Sequence, residues 1–180
     1  MDTIKFITGN EGKYSEAKKV ISTLEKIDFD LPEIQSLDPK EIITVKLQEA
    51  IKTHKGNFIV EDTSLIANSL NNFPGPLVKW VLKSVGNQGL YDMVENKDDK
   101  SARAVCMIGL VYGGNISFFE SEVEGEIVKP KGENGFGWDP VFKPTDSSKT
   151  FGEMQPEEKE KYNMRVKALL KLKKYLSSNG

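Results

Sequence analysis

The chain has 180 residues, 38% hydrophobic and 29% charged, enough apolar material for one well-filled globular domain over 1–180. Its 25 basic residues against 27 acidic ones leave a net charge of −2, which argues against a polyanion-binding surface and so against nucleic acid polymers as partners. A single cysteine, Cys106, excludes an internal disulfide and a cysteine metal cluster, and no basic leader or long apolar run follows Met1, so a cytoplasmic protein without a membrane span is expected.

In chain order, residues 4–7 read as a short strand running into Thr8-Gly9-Asn10-Glu11-Gly12-Lys13. A helix is expected over 14–25, with Ala17, Val20, Ile21 and Leu24 on one stripe, then a short strand over 27–31 ending in Pro32-Glu33. Asp38-Pro39-Lys40-Glu41 combines a capping aspartate, proline at the first helical position and glutamate at the third, so a helix starts there and runs to about Lys55, with Gly56 closing it. Residues 58–60 form a buried strand that leads directly into Glu61-Asp62-Thr63. Phe73-Pro74-Gly75-Pro76 reads as a tight turn, followed by helices over 77–84 and 87–95. Apolar runs over 102–112 and 116–127 flank Gly113-Gly114-Asn115, a hairpin signal. A glycine-punctuated loop over 130–140 precedes a last helix over 156–177, with Tyr162, Val166, Leu169, Leu170 and Leu176 on its apolar face. This mixture predicts an α/β or α+β domain around a mixed sheet.

Four places carry residues suited to chemistry. The Thr8–Lys13 turn delivers a hydroxyl, a glycine, an amide and a cation to a helix start, where unpaired N–H groups favour phosphate; an ordinary strand-to-helix turn with a solvated lysine is the alternative. Asp62 stands where ligands dock at strand ends, or else is a loop or capping carboxylate. Glu61 alternates to the opposite face of the strand. A second carboxylate, Glu33, beside Asp62 would make an oxygen-rich site for Mg²⁺, although Glu33 alone reads as a surface residue. Phe136-Gly137-Trp138-Asp139-Pro140 either offers an aromatic face and a carboxylate to a purine or plugs its rings into the core. Lys46 lies in an apolar context, and Lys159 is in the first turns of the last helix. His54 reads as a helix-end residue and Cys106 as core, which leaves carboxylates, lysines and a metal for catalysis.

In this order the segments Thr8-Gly9-Asn10 with Lys13, Leu31-Pro32-Glu33, Val60-Glu61-Asp62-Thr63, Phe73-Pro74-Gly75-Pro76, Phe136-Gly137-Trp138-Asp139-Pro140 and Lys159 to Arg165 resemble the inosine triphosphate pyrophosphatase family, which clears aberrant purine nucleoside triphosphates. The resemblance spans nearly the whole chain. It implies an elongated mixed sheet flanked by helices, two lobes with a cleft between them, and a homodimer. It also implies hydrolysis of ITP, dITP and XTP to the monophosphate and pyrophosphate. Thr8, Asn10, Lys13 and Lys46 would then contact the triphosphate, joined by Thr63 beside the metal carboxylate. Glu33 and Asp62 would hold Mg²⁺, with Asp62 accepting the proton of the attacking water. Phe136, Trp138, Asp139, Lys159 and Arg165 would form the base pocket.

The chain departs from the family in one place. Asn163-Met164-Arg165 stands where the family typically has Ser-His-Arg, and the family histidine contacts the purine edge. Methionine neither titrates nor donates a strong hydrogen bond, and on an ideal continuous helix Met164 points about 170° from the apolar stripe. Two alternatives follow: a nucleotide sensor without turnover, or a pyrophosphatase of shifted base specificity.

Overall fold

The computed structural model describes residues 3–179. Met1 and Asp2, part of the stretch read for a leader, lie outside them, as does Gly180. The elements are β1 (Lys5–Ile7), α1 (Glu11–Val20), β2 (Glu25–Ile27), α2 (Pro39–Thr53), β3 (Phe58–Ala67), β4 (Pro74–Gly75), α3 (Val78–Glu95), β5 (Ser101–Tyr112), β6 (Asn115–Ile127), β7 (Phe142–Pro144), α4 (Pro156–Glu160) and α5 (Met164–Asn179). The strands form a mixed seven-stranded sheet in the order β2-β1-β3-β5-β6-β7, with β4 paired to β3. β1 runs parallel to both β2 and β3, whereas β4 is antiparallel to β3 and β7 to β6. This is the expected mixed α/β architecture. No helix among the described residues is long and apolar enough to cross a membrane.

The chain divides into two compact units. The first holds Met1–Asp62, Cys106–Ser121 and Arg165–Gly180; the second holds Thr63–Val105 and Glu122–Met164. In the first, Ile43, Leu47 and Ala50 of α2 pack on Ile7, Phe58, Val60, Met107 and Val111 of β1, β3 and β5. Gly109 permits that contact, because a Cβ there would lie 2.6 Å from Ile43 Cγ2 and 2.8 Å from Leu47 Cδ1. In the second, Trp138, Phe142 and Phe151 form an aromatic core, with Trp138 stacked on Phe151 and edge-on to Phe142.

Local chemistry explains most boundaries. Asp38 Oδ1 accepts from Lys40 N at 2.8 Å, so α2 starts as expected. Glu41 does not complete the box directly: Ser36 Oγ donates to it and accepts from Asp38 N. His54 ends α2, and Cys106 is fully buried. Gly113 and Gly114, both at positive φ, form the two-residue turn between β5 and β6. Gly86, at φ 70°, breaks α3 where the two helices were expected to meet.

Six expectations need correction. α1 begins at Glu11 rather than at residue 14, because Asn10 Oδ1 caps it from Lys13 N at 2.9 Å, and it ends at Val20. β2 ends at Ile27, where Phe29 N turns back to Ile27 O, so Glu33 lies in a connection and not at a strand end. β3 continues through Glu61 and Asp62 to Ala67, which makes the two carboxylates mid-strand residues. The last helix is broken at 161–163: Lys161 N and Tyr162 N bond to Glu158 O and Lys159 O, and α5 starts afresh at Met164. Its buried stripe is Ala168, Leu169, Leu172 and Leu176, while Leu170 is exposed. The break also resets the angular argument for Met164, which is buried at 3% exposure instead of projecting outward.

Candidate active site

The first unit gathers most of the candidate residues. β1 ends at Ile7, and Thr8 and Asn10 then organise the turn into α1. Thr8 Oγ1 accepts from Asn10 N at 3.1 Å, and Asn10 Oδ1 is the helix cap. Both side-chain oxygens therefore rigidify the loop. Glu11 and Gly12, at the first positions of α1, have no intrahelical acceptor for their N–H groups. Beside Gly9 lies the exposed Asp30 carboxylate, with Oδ1 2.4 Å from where a Cβ would sit.

Alternation along β3 sends its two carboxylates to different partners. Glu61, almost completely buried, makes a two-pronged pair with Arg165: Nε to Oε2 at 2.8 Å and Nη2 to Oε1 at 3.0 Å. Arg165 also donates to Glu16, and Lys13 Nζ stands 3.4 Å from Glu61 Oε1. Burial pushes the Glu61 carboxyl up, but the Arg165 and Lys13 charges outweigh it and hold the group below its ordinary value. Burial likewise opposes the Arg165 charge, and Glu61 and Glu16 more than offset it, so the guanidinium stays protonated. Arg165 was expected in a base pocket; the structure ties its guanidinium to two carboxylates.

Asp62 meets Lys46. The aliphatic stem of Lys46 belongs to the buried side of α2, and its Nζ reaches Glu33 Oε1 at 2.6 Å, Glu61 O at 3.2 Å and Asp62 Oδ1 at 3.6 Å. Asp62 Oδ2 is buried and has no hydrogen-bond partner. Burial raises the Asp62 carboxyl above its ordinary range; Lys46 and Lys13 counter this, and Glu33 and Glu61 add to it. Glu33 and Asp62, expected around Mg²⁺, converge here on the Lys46 ammonium, and the orphaned Oδ2 marks an oxygen that a further cation would satisfy. This donor set fits a hard divalent ion that keeps waters and shares phosphate oxygens. No three acidic, histidine or cysteine side chains group into a ready-made metal cage among the described residues.

In the second unit, Thr63 follows Asp62 on β3 and is half-buried. Asp139 Oδ2 accepts from Phe136 N and from Lys159 Nζ, each at 2.8 Å. Lys159 Nζ also lies 5.0 Å from the Phe136 ring centre and 5.3 Å from that of Phe151. Phe136 is half-buried, whereas Trp138 is a core side chain, so the loop both anchors itself and presents one ring. Gly135, at φ 78°, leaves space that Asp139 Oδ2 fills.

A family model described as the Ham1 family matches residues 4–175. The chain belongs to the Ham1 family. This Ham1-family chain is 40% identical to the inosine triphosphate pyrophosphatase of Schizosaccharomyces pombe, over 99% of this chain and 97% of the relative. It is 36% identical to the dITP/XTP pyrophosphatase of Methanopyrus kandleri, over 98% and 97% of the two chains. Among solved structures, the Staphylococcus aureus Ham1 protein superposes with a TM-score of 0.82 at 26% identity, covering 98% of this chain and all of that one. Sequence reasoning on this Ham1-family chain missed Glu16 and the Glu61–Arg165 pair. The only local hint was Glu16 one helical turn after Lys13, and the pairing of residues 104 positions apart leaves no pattern.

Proposed function

We propose that this Ham1-family protein is a Mg²⁺-dependent nucleoside triphosphate pyrophosphatase. It acts on ITP, dITP and XTP and releases the monophosphate and pyrophosphate. The observation that carries the reading is the meeting of two buried groups, Asp62 and Lys46, with the more exposed Glu33, beside the Lys13 turn. Lys13, Lys46 and Arg165 are three cations against the four carboxylates Glu16, Glu33, Glu61 and Asp62. Those seven side chains are therefore one charge negative when all are ionised, and they need an added cation to accept a polyphosphate.

Glu33 and Asp62 would hold the ion, which supplies neutralisation of phosphate charge and Lewis-acid activation of water. Thr8 and Asn10 hold the turn in shape so that the start of α1 and Lys13 face the phosphates. Asp62 accepts the proton as a water oxygen bonds to the α-phosphorus, and the bond from that phosphorus to the bridging oxygen of the β-phosphate breaks to release pyrophosphate. Lys13 and Lys46 stabilise the charge that builds on the phosphate oxygens. Phe136 and Lys159 recognise the base, with Asp139 fixing both and Trp138 anchoring their loop in the core. Arg165, pinned between Glu61 and Glu16, acts through Glu61 on Lys13. We place the enzyme in the cytoplasm and read it as a homodimer, the exposure of Phe73, Trp80 and Val85 supporting the association.

The test is a panel of ITP, dITP, XTP, ATP, GTP and dTTP with and without Mg²⁺, assayed for pyrophosphate. Metal-dependent pyrophosphate from the first three is expected. Orthophosphate alone, or turnover indifferent to metal, would overturn the reading.

A further inference from the structure

We infer that Lys46 is a built-in competitor for the metal site, a resident cation that occupies Glu33 and Asp62 until a triphosphate draws it away. The inference rests on the reading of those two carboxylates as the metal's ligands. The ammonium of Lys46 has three hydrogens to donate, and three acceptors surround it: Glu33 Oε1, Glu61 O and Asp62 Oδ1. Its stem is buried on α2, so the head is held there and does not sweep through solvent. One positive charge nevertheless faces two carboxylates, and Asp62 Oδ2 is left without a partner. Lys46 therefore keeps the site folded without satisfying it.

A divalent ion arriving alone meets this ammonium at the same oxygens, and the like charges repel at close range. A triphosphate removes the conflict. Its oxygens are better acceptors for Lys46 than a carboxylate already shared, and the ammonium can turn to them while the metal takes Glu33 and Asp62. Metal and nucleotide then each strengthen the binding of the other, as reciprocal coupling requires. Free metal is bound weakly, and the enzyme selects the metal–nucleotide complex.

The experiment titrates Mn²⁺ alone, without nucleotide, into the full chain by calorimetry. Lys46→Met and Lys46→Gln remove the charge, and Lys46→Arg keeps it. The two neutral variants should bind Mn²⁺ about tenfold more tightly than the wild type or better, the scale expected for removing one adjacent like charge. Lys46→Arg should bind as weakly as the wild type. Adding Glu33→Gln and Asp62→Asn to Lys46→Met should erase the gain. If Lys46→Met does not fold, as judged by circular dichroism, Lys46→Gln decides. Neutral variants that fold but bind no more tightly overturn the competition while leaving the ligand assignment in place. A gain that survives removal of both carboxylates puts the ion elsewhere and overturns the assignment together with the inference.

Discussion

Glu61 keeps its charge inside the protein because Arg165 answers it with two hydrogen bonds and Lys13 stands beside it. Removing one member of such a pair strands the other, so Glu61→Gln should cost about 3–5 kcal/mol at neutral pH, measured by urea denaturation. The sign of its pH dependence follows from the lowered carboxyl. The unfolded chain takes up the proton first, near the ordinary value of 4.5, so the stabilisation is complete above 4.5 and is lost as pH falls through the lower folded value. Asp62 has the opposite sign: its carboxyl is raised above 3.8, so ionising it costs stability above the raised value, and that cost fades as pH falls. The gap between wild type and Glu61→Gln should therefore narrow below pH 4.5; a constant gap would count against the pair as its source. Met164 makes a second prediction at this scale. Because its side chain is buried, Met164→His should lower stability and leave the ratio of kcat/KM for ITP to that for GTP unchanged. A sharpened preference for ITP would show that position 164 reads the base.

Among the elements, α2 does the most for the candidate site, because the helix that packs the core also carries Lys46. Its distance from β5 depends on Gly109. Gly109→Ala should drive a methyl into Ile43 and Leu47, lift the helix and cost about 1–3 kcal/mol, with a parallel drop in kcat as Lys46 loses its acceptors. Stability loss with unchanged turnover would separate the packing from the site. The elements also show what could be read from the residues alone. The α2 start and the β5–β6 turn were legible because a capping aspartate and a Gly-Gly pair act within a few residues. The length of β3 was not, because charges at 61 and 62 look like a strand end. Their compensation comes from Lys13, Lys46 and Arg165, which are remote in sequence. The break before α5 was hidden for a related reason: Asn163 fits a helix pattern, and only the burial of Asn163, Met164 and Arg165 together shows that the chain turns inward there.

For the whole molecule, the near balance of charge leaves apolar exposure as the main cue to association. Trp80 is 50% exposed on α3, and Phe73 is open just before β4. If the proposed homodimer uses this segment, Trp80→Ser should shift sedimentation from dimer to monomer; an unchanged species would remove the segment from the contact. The candidate residues were legible as an ordered series, but their division between two compact units was not, because each unit is assembled from separate stretches of chain. The Arg165 clamp has a last consequence, for biosynthesis. Glu16, Glu61 and Arg165 enter the nascent chain in that order, so both acids wait for the guanidinium while about a hundred further residues are made after Glu61. Residue 165 must be made before Glu61, which stands against Lys13, has its guanidinium partner. A ribosome-bound fragment ending at residue 160 would therefore carry nearly every candidate residue and still lack a working site.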